Sequence, residues 1–231
     1  MGKVCTFGIN KGGTGKSTLS FNFAIACASR GFDVLLIDAD PQSSAAKWIA
    51  YREAELHDPT VHCIQKTGNI VQTVRDLKQR YELVVIDTGG RDSKELRTAA
   101  LCSDVLVSPI QPSQSDLDAA IYHNEMIAEV KTINEKLDCY AILSVCSPHR
   151  LSVLHKESKE FVKECLSEFS LLHSRTINRD AYRRSISSGQ SVIEGRDPSA
   201  KAEIEALTDE LLDRLELARQ PNFLKRGLAY A

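Results

Sequence analysis

The chain is short of the residues that mark specialised protein classes. Aromatic residues make up 6% of its 231 positions, with a single Trp and two Met. No apolar run approaches the roughly 18 residues of a membrane-spanning helix, which excludes one. The opening MGKVCTFGIN lacks the long apolar core of a secretory leader. Neither charge sign dominates: 29 Lys and Arg stand against 31 Asp and Glu, a net charge of −2. That balance excludes a uniformly basic nucleic-acid binder but leaves room for a local patch. The 7 Cys are odd in number and widely spaced, and form no C-x-x-C. They make neither a disulfide framework nor a zinc site, and most sit in apolar stretches as small core residues of a cytoplasmic protein. The 6 His are scattered without a metal-ligand spacing.

What is present is the composition of a globular protein, 42% hydrophobic and 26% charged. Its length gives one domain with a core large enough to fold unaided. The pattern is strand then helix, repeated. Strands are expected at Lys3–Ile9, Asp33–Asp38, Thr60–Ile64, Glu82–Asp87, Asp104–Ile110, Cys139–Cys146 and Leu171–Ile177. A helix rich in small residues is expected over Ser17–Ser29, and another carries Trp48, there for packing. Leu117, Ile121, Ile127, Val130 and Ile133 recur at helical spacing, as do Ile204, Leu207, Leu211, Leu212 and Leu215. Continuous apolar strands alternating with helices predict an α/β fold with a mostly parallel, twisted sheet flanked by helices on both faces. The reading is one domain over 1–219, with Pro221 ending the last helix and 220–231 a short tail.

The strongest signal is KGGTGKST, Lys11 to Thr18, directly after a strand and opening a helix. A triphosphate needs a cradle of backbone N–H groups. Gly12, Gly13 and Gly15 let the chain bend around phosphates, Thr14 lies between them, and the helix start adds free amides and a positive dipole end. Lys16 then reaches the β- and γ-phosphates, the Ser17 hydroxyl is a Mg²⁺ ligand, and Thr18 follows it. This is a P-loop, and it predicts a P-loop NTPase. Asn10 stands where the usual pattern begins with Gly.

Two strands end in acid. VLLIDADPQ places Asp38 and Asp40 after one strand, and VVIDTGG places Asp87 after another. In a parallel sheet the carboxyl ends of strands line the ligand crevice. Asp87 suits a carboxylate that holds Mg²⁺ through water, with Gly89 and Gly90 near the γ-phosphate. Asp38 can orient a metal-bound water, and Asp40, further along, the attacking water. Pro148, after a strand end, falls where such a fold supports the adenine.

KGGTGKST with its extra Lys11, DADPQ, DTGG and PIQPSQSD together resemble the ParA/MinD family of deviant Walker ATPases. DADPQ with PIQPSQSDLDAA, and the stretch from Ala181 through Leu212, are more similar to the ParA branch than to MinD. The resemblance spans about residues 3 to 217, without a preceding DNA-binding domain, like the short ParA class used in plasmid and chromosome partition. It implies a homodimer that traps two ATP, with Lys11 of each subunit reaching the other's phosphates. It implies that Asp40 is needed for hydrolysis and that hydrolysis releases the dimer. It also implies non-specific DNA binding in the ATP state, a nucleoid location, and a ParB-like or cargo-adaptor activator.

The local charge fits that implication. Between Arg175 and Lys201 six basic residues face three acids, a local +3 on an acidic chain. Arg179, Arg183, Arg184 and Lys201 are the candidate DNA contacts, Arg179 and Arg183 being spaced to share a helix face. The alternative is a MinD-like membrane-associated ATPase, since Phe223, Leu224, Lys225, Arg226 and Leu228 mix apolar and basic residues. That run is short and broken by Gly227, too little for interfacial anchoring.

Overall fold

Every apolar run expected to be a strand pairs into one seven-stranded sheet in the computed structural model, which describes residues 1–149 and 153–217. Strand β1 (Lys3–Phe7) leads to helix α1 (Lys16–Ser29), β2 (Val34–Asp38) to α2 (Ser44–Ala54), and β3 (His62–Gln65) to α3 (Val71–Leu77). Then β4 (Leu83–Asp87) leads to α4 (Lys94–Cys102), β5 (Val105–Ile110) to α5 (Gln114–Lys131), and β6 (Asp138–Cys146) to α6 (Val153–Cys165). Finally β7 (Ser170–Ile177) is followed by α7 (Asp180–Ser188) and α8 (Pro198–Arg214). The order is β3-β2-β4-β1-β5-β6-β7, and all pairings are parallel.

Alternation along each strand divides the core. Cys5, Phe7, Leu36, Val85 and Val107 meet residues of α1, α2, α7 and α8 on one face. Val4, Leu35, Val84 and Ile86 meet α3 and α4 on the other, where Leu106 and Ala141 meet α5 and α6. Both faces are covered, which is why the inner strands read as unbroken apolar runs. Trp48 is buried and stacks on Phe21 of α1 with ring centroids 4.2 Å apart, a packing role as expected.

Caps fix several helix starts. Ser93 and Ser113 accept from the backbone of Leu96 and Asp116, and Asp197 accepts from Ser199 and Ala200, with Pro198 in the first turn of α8. Two expectations change. Helix α8 ends at Arg214, with Glu216 at φ 55°, so Pro221 does not stop it. Arg179 lies before α7 in extended backbone, so it shares no helix face with Arg183. The residues beyond 217, including the apolar and basic run from Phe223 to Leu228, lie outside the described residues.

Adjacent strand ends position the site. Asp38 and Asp87 are register partners across β2 and β4, and Phe7 pairs with Asp87 across β1 and β4. The loop after β1 therefore emerges beside both acids.

Candidate functional site

The loop from Ile9 to Lys16 is built to turn its amides outward. Gly13 and Gly15 hold φ of 77° and 94°, a region that disfavours other residues. The loop's carbonyls are tied to the protein behind it: Gln111 Nε2 donates to Gly13 O at 2.6 Å, and Ser144 Oγ to Thr14 O at 2.7 Å. Gly15 caps α1 without a side-chain bond. The backbone N–H groups from Gly12 to Thr18 donate to no acceptor among the described residues. A row of free amides at a helix start is an anion cradle.

Charges sit around this cradle. Lys16 is buried, and its ammonium donates to Lys11 O at 2.6 Å. Burial lowers its pKa, while Asp87 and Asp40 pull the other way. Asp38 is buried and held by backbone: its Oδ1 accepts from Asp40 N at 3.0 Å and its Oδ2 from Ala46 N at 2.8 Å. Burial raises its pKa, and those amides oppose the rise. Asp40 is half-buried, and its Oδ1 accepts from Gln42 N at 2.9 Å.

Asp87 differs. Both its oxygens are buried without a hydrogen-bond partner, the Ser17 hydroxyl favouring its ionised form without a bond of full geometry. Burial pushes its pKa up to about 8, reinforced by Asp38 and Asp40 and opposed by Ser17 and Lys16. A desolvated carboxylate with two unspent oxygens, beside a serine hydroxyl, fits a hard divalent cation.

Two cavities share the rim formed by Gly13, Gly15 and Thr18. The larger, about 610 Å³, is lined by Lys16, Ser17, Asp40, Gly89, Gly90 and Arg91 among others, and suits phosphates. The smaller, about 250 Å³, is lined by Val145, Thr176, Asn178, Tyr182 and Ile186 and suits a base. Pro148, expected to support the adenine, is exposed and outside this lining, while Val145, at φ 51° near the irregular end of β6, is within it. A positive φ at a β-branched residue costs about 1–3 kcal/mol and clusters at functional sites.

The remaining expected residues scatter. Lys11 turns its ammonium to Ser115 Oγ on α5, 3.4 Å away. Arg179 is paired with Glu203 at 2.8 Å, and Lys201 faces Glu205 at 3.8 Å. Arg183 is exposed, with Asp180 at 3.6 Å and Asn178 Oδ1 at 3.2 Å, and Arg184 is exposed beside it. The loop fasteners Gln111 and Ser144, and the cleft residue Arg91, were missed by sequence reasoning. Isolated polar residues at strand and helix ends carry no pattern of their own.

Comparison with known proteins agrees with this geometry. Residues 6–147 match the family described as the CobQ/CobB/MinD/ParA nucleotide binding domain. Maintenance of carboxysome distribution protein A of Halothiobacillus neapolitanus is 28% identical over 211 residues, covering 87% of this chain and 93% of that protein. The structure of Cyanothece apo McdA superposes with a TM-score of 0.75 at 16% identity, covering 91% of this chain and 100% of that one. A Borrelia burgdorferi B31 plasmid partition protein bound to AMPPNP gives 0.72 at 20% identity, covering 93% and 100%. The fold is that of the P-loop NTPases of the ParA/MinD kind.

Proposed function

Because this chain belongs to the CobQ/CobB/MinD/ParA nucleotide-binding family, we propose that it works as a ParA-like ATPase that positions cargo on DNA. The observation that carries the reading is the row of unspent amides from Gly12 to Thr18 beside Lys16 and the unpartnered Asp87. The amides and the Lys16 ammonium take the β- and γ-phosphate oxygens of ATP, Lys16 exchanging its bond to Lys11 O for them. Ser17 and, through water, Asp87 and Asp38 would hold Mg²⁺, which when bound neutralises phosphate charge. Asp40, at the cleft rim, orients the attacking water. The water oxygen bonds to the γ-phosphorus as its bond to the bridging oxygen breaks, and the water's proton passes to the released phosphate, leaving ADP and inorganic phosphate.

Lys11 lies at the rim and is only weakly held by Ser115. In a homodimer of ATP-bound subunits it crosses to the partner's phosphates, where a cation stabilises a loose transition state. Dimerisation doubles the exposed Arg183 and Arg184 and brings enough phosphate contacts for non-specific DNA binding on the nucleoid. Arg179, before α7, and Lys201, on α8, would add to this binding. A ParB-like or cargo-adaptor protein would stimulate hydrolysis and so release the dimer. No described helix is long and apolar enough to cross a membrane. The MinD-like alternative rests on residues beyond 217, outside the described ones.

The test is phosphate release with and without Mg²⁺, together with light scattering in ATP and ADP. The parent should hydrolyse slowly. Lys16→Ala should lose nucleotide binding, and Asp40→Ala should bind ATP, dimerise and stall. Lys11→Ala should bind nucleotide but neither dimerise nor hydrolyse. Equal masses for Asp40→Ala in ATP and ADP would exclude the dimer, and parental turnover by Asp40→Ala would exclude its role.

A further inference from the structure

The phosphate cleft contains a second cation with no partner. Of the residues lining the larger cavity, Lys16 and Arg91 are basic. Lys16 is engaged with Lys11 O at 2.6 Å. The Arg91 side chain makes no hydrogen bond or ion pair with any described residue. Asp40 and Glu95 line the same cavity without pairing to Arg91, and the acids closest in sequence have partners of their own. Asp92 accepts from Arg97 through both oxygens at 2.9 Å, and Glu95 accepts from Gly68 N at 2.6 Å. Arg91 is exposed at the lining of this amide-rich cleft, and an unpaired guanidinium there is free to meet an anion from outside the chain.

Backbone packing places it there. A Cβ on Gly90 would lie 2.7 Å from Gly12 Cα and 2.8 Å from Gly12 N, so the chain just before Arg91 rests directly on the cradle. The segment is anchored at both ends. The Thr88 amide and hydroxyl donate to Phe7 O at 3.2 and 3.1 Å, and Arg97 joins Asp92 to Glu129 of α5 at 2.9 Å. Arg91 lines the larger cavity and not the smaller one, on the side opposite the residues that the smaller cavity shares with it.

We infer that Arg91 contacts the terminal phosphate of a nucleoside triphosphate bound in its own subunit. Arg91 thereby favours the triphosphate over the diphosphate. The inference rests on the nucleotide reading of the site. It assigns a phosphate contact separate from that of Lys11, which serves the partner subunit.

The test is calorimetric titration of the full chain, in Mg²⁺, with AMPPNP and separately with ADP. The parent, Arg91→Ala and Arg91→Lys are compared, with circular dichroism confirming that each is folded. A lost charge-assisted bond should weaken AMPPNP binding by Arg91→Ala about 10- to 100-fold. ADP binding should change by less than about threefold, because the contact exists only in the triphosphate complex. Arg91→Lys should recover part of the AMPPNP loss and none of the bidentate geometry. Equal losses for both nucleotides, or undiminished AMPPNP binding by Arg91→Ala, overturn the inference while leaving the ATPase reading standing. A folded parent that binds neither nucleotide overturns both.

Discussion

Arg52 of α2 grips Glu194 in the loop before α8 through both guanidinium ends, at 2.8 and 2.7 Å, with only 2% of its side chain exposed. The same guanidinium donates to Gly189 O at 3.1 Å and Pro59 O at 3.0 Å. Every charge and polar group in this joint has a partner, which is the condition under which a buried ion pair is tolerated. Removing Glu194 leaves the cation buried with carbonyls alone. Glu194→Ala should therefore destabilise the fold by about 3–5 kcal/mol, read as the change in urea midpoint. A Glu194→Gln protein, which keeps an acceptor, should lose less. Parental stability in Glu194→Ala would mean that the joint contributes nothing net.

That joint connects the nucleotide loop to the basic helix. Asp38 holds the first turn of α2 through Ala46 N. Further along α2, Trp48 Nε1 donates to Ser185 O of α7 at 2.8 Å. On the other side, Asn22 of α1 accepts from Ser191 Oγ and Val192 N at 2.7 and 2.8 Å. Helix α2 thus bears on α7, which carries Arg183 and Arg184, and α1 on the loop that follows it.

The contact between Gly90 and Gly12 gives a second prediction. A methyl group at position 90 would press on the Gly12 backbone at 2.7 Å, and no flexible side chain is there to yield. Either the cradle or the turn after β4 must move. Displacements of about 1 Å in a positioned site can cost about 100-fold. Gly90→Ala should lose nucleotide affinity by at least about tenfold, while its far-ultraviolet circular dichroism stays parental. Full nucleotide affinity in Gly90→Ala would show that the turn and the cradle need not touch.

A buried histidine supplies a pH dependence. Ser108 Oγ donates its single proton to Gly8 O at 2.7 Å, so the His123 Nε2 lying 3.0 Å from that oxygen must be the donor. His123 Nδ1 is then a bare lone pair, buried and without a partner. Protonation would put a charge there with nothing to receive it, and burial lowers the pKa to about 3. The unfolded chain takes up this proton near 6.5. Stability is therefore fully present above that value and is lost progressively as pH falls toward about 3. Between pH 7 and pH 4.5 the loss from this group should be on the order of 2 kcal/mol. Urea titrations of the parent and His123→Gln at both pH values give the check. Equal acid losses in the two proteins would remove His123 as the cause.

The sequence made the frame legible where a pattern repeats. Apolar runs ending at Asp38 and Asp87 read as buried strands because both faces are covered, and KGGTGKST read as a cradle because glycine and lysine spacing follows from phosphate geometry. Helices α3 and α4, seven and nine residues long, span too few turns to show a period. The joint between Arg52 and Glu194 was illegible because its members lie 142 positions apart. Arg179 looked like one of a helical pair on spacing alone. Its pairing with Glu203 and its place before α7 are tertiary facts.

Those same facts sharpen the DNA prediction. Arg183 and Arg184 are exposed on α7, while Arg179 is engaged with Glu203 and Lys201 faces Glu205. Phosphate contact is therefore expected mainly from Arg183 and Arg184, with Arg179 serving chiefly to hold α7 against α8. In the Asp40→Ala protein with ATP, a random duplex should be bound without sequence preference. The log of affinity should fall with log salt, by about 0.9 for each phosphate neutralised. Changing Arg183 and Arg184 to Glu should abolish the gel shift without altering the mass of the ATP dimer. Arg179→Ala should leave the salt slope nearly parental and lower the melting temperature. Undiminished binding by the double Glu protein would move the DNA site off α7. A flattened slope in Arg179→Ala would instead show that this arginine exchanges Glu203 for phosphate when DNA arrives.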